Sequence, residues 1–239
     1  MEIRERALRR TLPVVINSFN QLTYLRNSIE NFVRNEFKNI IILDNGSSYE
    51  PLIEFYNRLP ELFNGAIEPL VIYYNANMGP RYFHQSKLFS QLLPFAHIYT
   101  DPDLHFDELA PNFCSFLMDL SHKYQLFKVG SALSLPKEDE LKPDLFVKPG
   151  DTTQKIPVLE WESQFWRSEL EPMVYNAPID TTLHLFNPVF FENSQYFIVG
   201  LRVALPGFEV KHLPWYRHSL VPLGEDLYYR ERGSLYNNY

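Results

Sequence analysis

The residues best placed to do chemistry are two carboxylates one residue apart, Asp101 and Asp103, in the stretch His97 to Leu104, HIYTDPDL. An apolar, aromatic run from Phe95 to Tyr99 precedes them and reads as the end of a buried strand. Pro102 stiffens the turn between them by fixing its own φ. Two carboxylates at a strand exit can grip a hard divalent cation through oxygen. A cation held there can neutralise a diphosphate brought in from elsewhere. The same letters also describe a solvated turn leading into a helix that starts near Asp107. A D-x-D pair arises often by chance, so both readings stand at this point.

Three strands that should position such a site come earlier in the chain. Leu12 to Asn17, LPVVIN, is a continuous β-branched run of the kind buried on both faces of a parallel sheet. It exits into Ser18, Phe19 and Asn20. A helix is expected from about Gln21 to Asn35, with Leu22, Leu25, Ile29, Phe32 and Val33 on one face. The second strand, Asn39 to Leu43, runs into Asp44, Asn45, Gly46, Ser47 and Ser48. Asp44 can accept hydrogen bonds from a base N–H or a ribose hydroxyl, or can close an Asx-turn and cap the helix expected over Glu50 to Leu59. The third strand, Leu70 to Tyr74, exits into Asn75, Ala76, Asn77, Met78, Gly79, Pro80 and Arg81. Gly79 allows φ > 0, Pro80 suits a first helical turn, and a guanidinium at Arg81 suits a phosphate. That helix is expected to run to about Leu93, before the strand that delivers Asp101. The pattern is β-α-β-α-β-α-β with polar groups at each carboxyl end, where open α/β sheets bind ligands.

Bulk properties narrow the classes. At 239 residues the chain can bury one substantial core, and 45% of it is apolar. Lys plus Arg is 22 against 29 Asp plus Glu, a formal net charge of −7. That excess of acid argues against a nucleic-acid binder and gives no pull towards anionic lipid. The one cysteine, Cys114, cannot form an internal disulfide, so a reducing compartment is permitted. No run approaches the length of a membrane span, and MEIRERALRR lacks a signal-peptide core. The expectation is a soluble, cytoplasmic protein with no transmembrane segment and no nucleic-acid partner.

Four features, in order and spacing, resemble the nucleotide-binding half of a GT-A glycosyltransferase of the broad family-2 type. They are PVVINSFN, the IIILDNGSS turn, the NANMGPR loop and DPD near residue 101. The resemblance implies an α/β fold of the GT-A (Rossmann-like) class, a mostly parallel sheet with helices on both faces and a small antiparallel element. It implies one domain over 1–239, with 12–104 binding the nucleotide sugar, 105–220 forming the acceptor and catalytic half, and 221–239 a tail. Asp44 would take the base, and Ser18, Phe19, Asn20, Asn77, Gly79, Arg81 and Asp101 would line the donor site. Asp101 and Asp103 would hold Mn²⁺ or Mg²⁺, with Asp103 the firmer ligand. The donor would be a UDP- or GDP-sugar, and the acceptor a glycan, a lipid-linked or another hydroxyl.

The second half departs further from the family pattern. A helix is expected over Phe106 to Tyr124 and a strand over Phe127 to Leu135, with Gly130 marking a bulge or close approach. Pro136 to Pro157 reads as a loop, either functional or a tolerated insertion. A short aromatic helix, Val158 to Leu170, carries Glu162. Enzymes of the resembled type place an acid, usually in an x-E-D pattern, where it deprotonates the acceptor hydroxyl. Here the local sequence is Ile-Asp-Thr, so the resemblance gives Asp180 as first candidate base and Glu162 as second. Asp180 is also a residue suited to a turn or strand-end cap. His212 fits the late histidine that completes the metal shell in many of these enzymes. The tail Glu225 to Tyr239 reads as polar, Tyr-rich and mobile. Family resemblance implies an active, inverting transferase. A catalytically inert relative that binds a sugar nucleotide or glycan is the alternative. Nucleotidyltransferases share this sheet type, but SFNQL lacks the Gly- and base-rich loop they use for triphosphate.

Overall fold

The computed structural model describes residues 1–85, 89, 94–148, 154–192, 198–218 and 220–232. Most of the helix expected after Arg81, part of the 136–157 loop and residues 233–239 lie outside the described residues. Helix α1 (Ile3–Thr11) precedes β1 (Val14–Ser18), α2 (Leu22–Arg34), β2 (Asn39–Asp44), α3 (Glu50–Leu62), β3 (Glu68–Tyr73), the short α4 (Tyr82–Gln85) and β4 (His97–Thr100). Beyond it come β5 (Leu104–His105), α5 (Phe113–Tyr124), β6 (Lys128–Ser131), β7 (Phe146–Val147), β8 (Ile156–Pro157), α6 (Val158–Ser163), β9 (Glu169–Glu171) and β10 (Val174–Asn176). The described chain ends with β11 (His184–Phe186), β12 (Leu201–Val203), β13 (Lys211–His212) and α7 (Leu223–Glu231).

The central sheet has the order β3-β2-β1-β4-β11-β6-β12-β10-β9. Strands β3, β2, β1 and β4 are parallel; the apolar runs of the inner strands β1 and β2 suit burial on both faces, and Val14, Ile16, Ile40 and Ile42 are fully buried. Ile16 lies between Ile42 and Thr100, and Ser18 lies beside Asp44. The exits of β1, β2 and β4 therefore open at one edge. Strand β11 is antiparallel to both β4 and β6, while β12 is parallel to β6. Because β11 runs against β4, the residues just before it arrive at the exit of β4. A single hydrophobic cluster runs from Leu12 to Trp215 and joins both halves of the chain.

Several boundaries differ from the sequence expectation for local reasons. The helix expected from Phe106 starts at Phe113. Pro111 disfavours helical geometry at Ala110, whose N–H instead donates to Gly207 O at 2.9 Å. The helix expected to reach Leu170 ends at Ser163, because Glu169–Glu171 pairs with β10 in a hairpin turned at Met173, φ 60°. The amino-terminal stretch is an anchored helix. Glu5 caps α5 by accepting from the N–H groups of Cys114 (3.0 Å) and Ser115 (2.8 Å), and Arg9 pairs with it at 2.7 Å. Gly130 sits where a Cβ would lie 2.4 Å from Leu183 O, a close approach of β6 to β11 that only glycine allows. Among the described residues no helix is long and apolar enough to cross a membrane.

Candidate active site

Two chain crossings build the acidic end of the site. The pair β5–β13 aligns His212 with Leu104, and Leu213 N–H donates to Asp103 O at 2.9 Å. This brings His212 Nε2 to 3.4 Å from Asp103 Oδ2. Asp103 Oδ1 is buried with no hydrogen-bond partner among the described residues. On the other side of Pro102, Asp101 N–H donates to Thr181 O at 3.1 Å and its carboxylate accepts from the Thr181 hydroxyl. Burial first, and then the charge of Asp103, push the Asp101 carboxyl well above the usual carboxylate range. Two crowded carboxyls, one orphaned oxygen and a neighbouring imidazole are a donor set suited to Mn²⁺ or Mg²⁺. Among the described residues no three such side chains stand together as a preformed metal cluster. Asp103 and His212 face each other, whereas Asp101 is turned towards Thr181.

Asp180 precedes Thr181 and meets Arg81 from the loop after β3. Arg81 Nε donates to Asp180 Oδ1 at 2.5 Å, and a second guanidinium nitrogen donates to Oδ2. Both side chains are about half exposed, at 50% and 46%. The loop that carries Arg81 is shaped by its own polar residues. Gly79 has φ 84° and its N–H donates to Asn77 Oδ1 at 3.0 Å. Tyr99, on β4, donates its hydroxyl to Pro80 O. Behind Asp180, the ammonium of buried Lys128 donates to Ile179 O (3.2 Å) and Asp180 O (2.8 Å). Burial pulls that ammonium down to about 7, against the opposing charge of Asp180. A single lysine inside the apolar run FKVGSALSL was the one sequence signal for this support.

The remaining candidates have partners within the protein. Asp44 is buried; its Oδ2 accepts from Ser47 N–H at 3.0 Å and its Oδ1 from the Tyr56 hydroxyl at 2.9 Å. This is the Asx-turn use of the residue. Ser18 is buried, with its hydroxyl 3.0 Å from that of Tyr56. Asn20, at φ 52°, accepts from the N–H groups of Ser48 and Tyr49, tying the β1 exit to the β2 exit. Glu162 makes no hydrogen bond to Asp101, Asp103, Asp180 or Arg81 among the described residues, though it lies within charge range of His212. It is buried against Arg202, in an ion pair whose exposure is only 3% on the Glu162 side. Burial raises its carboxyl, with Arg202 opposing.

The tail expected to be mobile is instead, over the described residues, the docked helix α7. Glu225 accepts from Thr23 N–H at 2.8 Å and from the Thr23 hydroxyl at 2.7 Å. Gln21 gives α2 no side-chain cap, so Glu225 supplies one from the far end of the chain. Tyr228 donates to Ser48 O at 2.6 Å, and the Tyr229 ring meets Phe19 edge-on at 6.3 Å. These contacts lay α7 over the β1 and β2 exits. Burial, then the charges of Asp103 and Asp101, push the Tyr229 hydroxyl upward. Glu225→Ala should cost about 1–2 kcal/mol, the scale of a lost helix cap. Hydrogen exchange should then show α7 opening at lower free energy than the sheet. Unchanged protection of 223–231 would mean that Glu225 is not the latch.

No protein-family model and no curated protein matches the sequence. Solved structures are similar in fold. GalNAc-T7 with UDP, GalNAc and Mn²⁺ superposes with a TM-score of 0.54 at 16% identity, over 88% of this chain and 45% of that chain. The mannosyltransferase PcManGT from Pyrobaculum calidifontis, with GDP-Man and Mn²⁺, gives 0.43 at 10% identity over 54% and 37%. S. aureus TarS with UDP gives 0.39 at 12% identity over 54% and 38%. This chain thus spans under half the length of the GalNAc-T7 chain. The GalNAc-T7 likeness shows the fold, which is of the GT-A type.

Proposed function

We propose that the chain is a metal-dependent glycosyltransferase that moves a sugar from a nucleotide-diphosphate sugar to an acceptor hydroxyl, with inversion. The observation that carries the reading is the facing pair Asp103–His212, with its orphaned carboxylate oxygen, at the exit of β4 beside Asp180. We further propose one domain over 1–239, with 12–104 taking the donor, 105–220 the acceptor and 221–239 a C-terminal tail, of which α7 is the described part. Asp103 and His212 would hold the divalent ion, which supplies neutralisation of the departing diphosphate. Asp180 would take the acceptor proton as its oxygen bonds to sugar C1 and the C1–O bond to the diphosphate breaks. Arg81, on its glycine-hinged loop, would meet the diphosphate.

A catalytically inert sugar-nucleotide binder is the second reading. It is favoured by the turning of Asp101 towards Thr181 and by the Arg81 clamp on Asp180. A donor screen separates the two: hydrolysis of UDP-, GDP- and TDP-sugars with Mn²⁺, repeated in EDTA. The transferase reading expects EDTA-sensitive release of sugar from one donor class. Tight binding of a donor without turnover in any acceptor mixture would favour the inert binder.

A further inference from the structure

We propose that Arg81 is exchanged between two anions, held by Asp180 until the diphosphate of an incoming donor takes it and thereby releases Asp180 as the base. The inference rests on the transferase reading above and adds to it how the base is held in reserve.

The geometry sets a fixed partner against a movable one. Asp180 is fixed through its backbone. Lys128 Nζ donates to Ile179 O and Asp180 O, Ile179 N–H donates to Ile198 O at 2.8 Å, and Thr181 O accepts from Asp101 N–H. Arg81 rides on a loop turned at Gly79, with its side chain half in water. A guanidinium fork fits a carboxylate and a phosphate equally well, each through two parallel N–H donors. An ion pair this exposed holds weakly enough to be traded. A diphosphate brings more negative charge than one carboxylate. Asp101 also lies close enough to act on both Arg81 and Asp180 through charge, so the exchange occurs beside the D-x-D turn.

While Arg81 donates to both Asp180 oxygens, neither is directed at an acceptor hydroxyl. Once it turns to the diphosphate, the carboxylate can accept that proton. The acceptor oxygen then bonds to C1, the C1–O bond to the diphosphate breaks with its electron pair, and the nucleoside diphosphate leaves. The proton on Asp180 passes to solvent, and Arg81 returns. A base that appears only when a donor is seated keeps an acceptor from binding productively to an empty crevice.

Calorimetric titration with UDP and, separately, GDP in Mg²⁺ tests the exchange without needing turnover. Asp180→Asn removes the competing charge, so it should tighten binding of the preferred diphosphate by about three- to tenfold. Arg81→Ala should weaken it by about tenfold, and adding Asp180→Asn to Arg81→Ala should restore nothing. Both side chains are half exposed, and Asp180→Ser repeats the test with a smaller group. Diphosphate binding to the wild type that is unchanged or weaker in both Asp180 variants overturns the exchange and leaves the transferase reading standing. No binding of either diphosphate to the wild type overturns both.

Discussion

If the proposed transferase reading holds, Asp103→Ala should lower metal-dependent turnover of a nucleotide sugar by about 10³-fold or more while melting no earlier than the wild type. The loss follows from removing the carboxylate that would hold the ion, since charge stabilisation of this kind is worth several kcal/mol and each 1.36 kcal/mol is tenfold in rate. The unchanged melting follows from what Asp103 does for the fold, which is little. Its Oδ1 has no partner among the described residues, and its charge raises the Asp101 carboxyl. Removing it gives up one 3.4 Å contact with His212 and relieves one like-charge repulsion. The anchoring bond here, Leu213 N–H to Asp103 O, belongs to the backbone and survives the substitution. EDTA on the wild type should reproduce the defect, and Mn²⁺ should not rescue the variant. Full turnover in Asp103→Ala sinks the metal assignment. A melting temperature several degrees lower would make Asp103 a structural residue instead.

Strands β1 and β2 were legible because they are β-branched runs, and burial on both faces leaves little choice of element; β3 is a half-exposed edge strand. The uses of the polar residues at the strand exits were not legible. Asp44, Ser18 and Asn20 have the side chains that bind nucleotides, and also those that close turns and cap helices; sequence offers both uses and no way to rank them. In the structure, Tyr56, Ser47 and Ser48 take those oxygens. The contact between Asp103 and His212 depends on β5 and β13, two residues each, too short to leave a periodic signal. Helix α7 was read as a mobile tail because its exposed residues are polar and Tyr-rich. Its anchor, Glu225, looks like any surface acid until Thr23 is seen beneath it. The Arg81–Asp180 pair joins residues 99 positions apart, each of them sound as a candidate alone.

A second large chemical effect should come from Asp180→Asn, which keeps the shape of the side chain and one acceptor oxygen but removes the base. Transfer to an acceptor should fall by about 10²–10⁴-fold, the usual scale for a positioned general base. The fall should be in kcat rather than in donor affinity, because the side chain competes for Arg81 and its loss leaves the diphosphate bound at least as tightly. Glu162 is the control, and the structure says how to read it. Its carboxylate is buried and paired with Arg202, and Arg202 also donates to Pro178 O at 2.8 Å, two residues before Asp180. Glu162→Gln leaves a buried guanidinium short of its counter-charge, a change that costs about 3–5 kcal/mol of stability. Any loss of transfer in Glu162→Gln should therefore track a lower melting temperature and recover when assayed well below it. Loss in Asp180→Asn should persist at every temperature at which the protein is folded, since a half-exposed carboxylate contributes little to the fold. Near-normal transfer in Asp180→Asn, alongside a collapse in a Glu162→Gln protein that melts like the wild type, would move the base to Glu162.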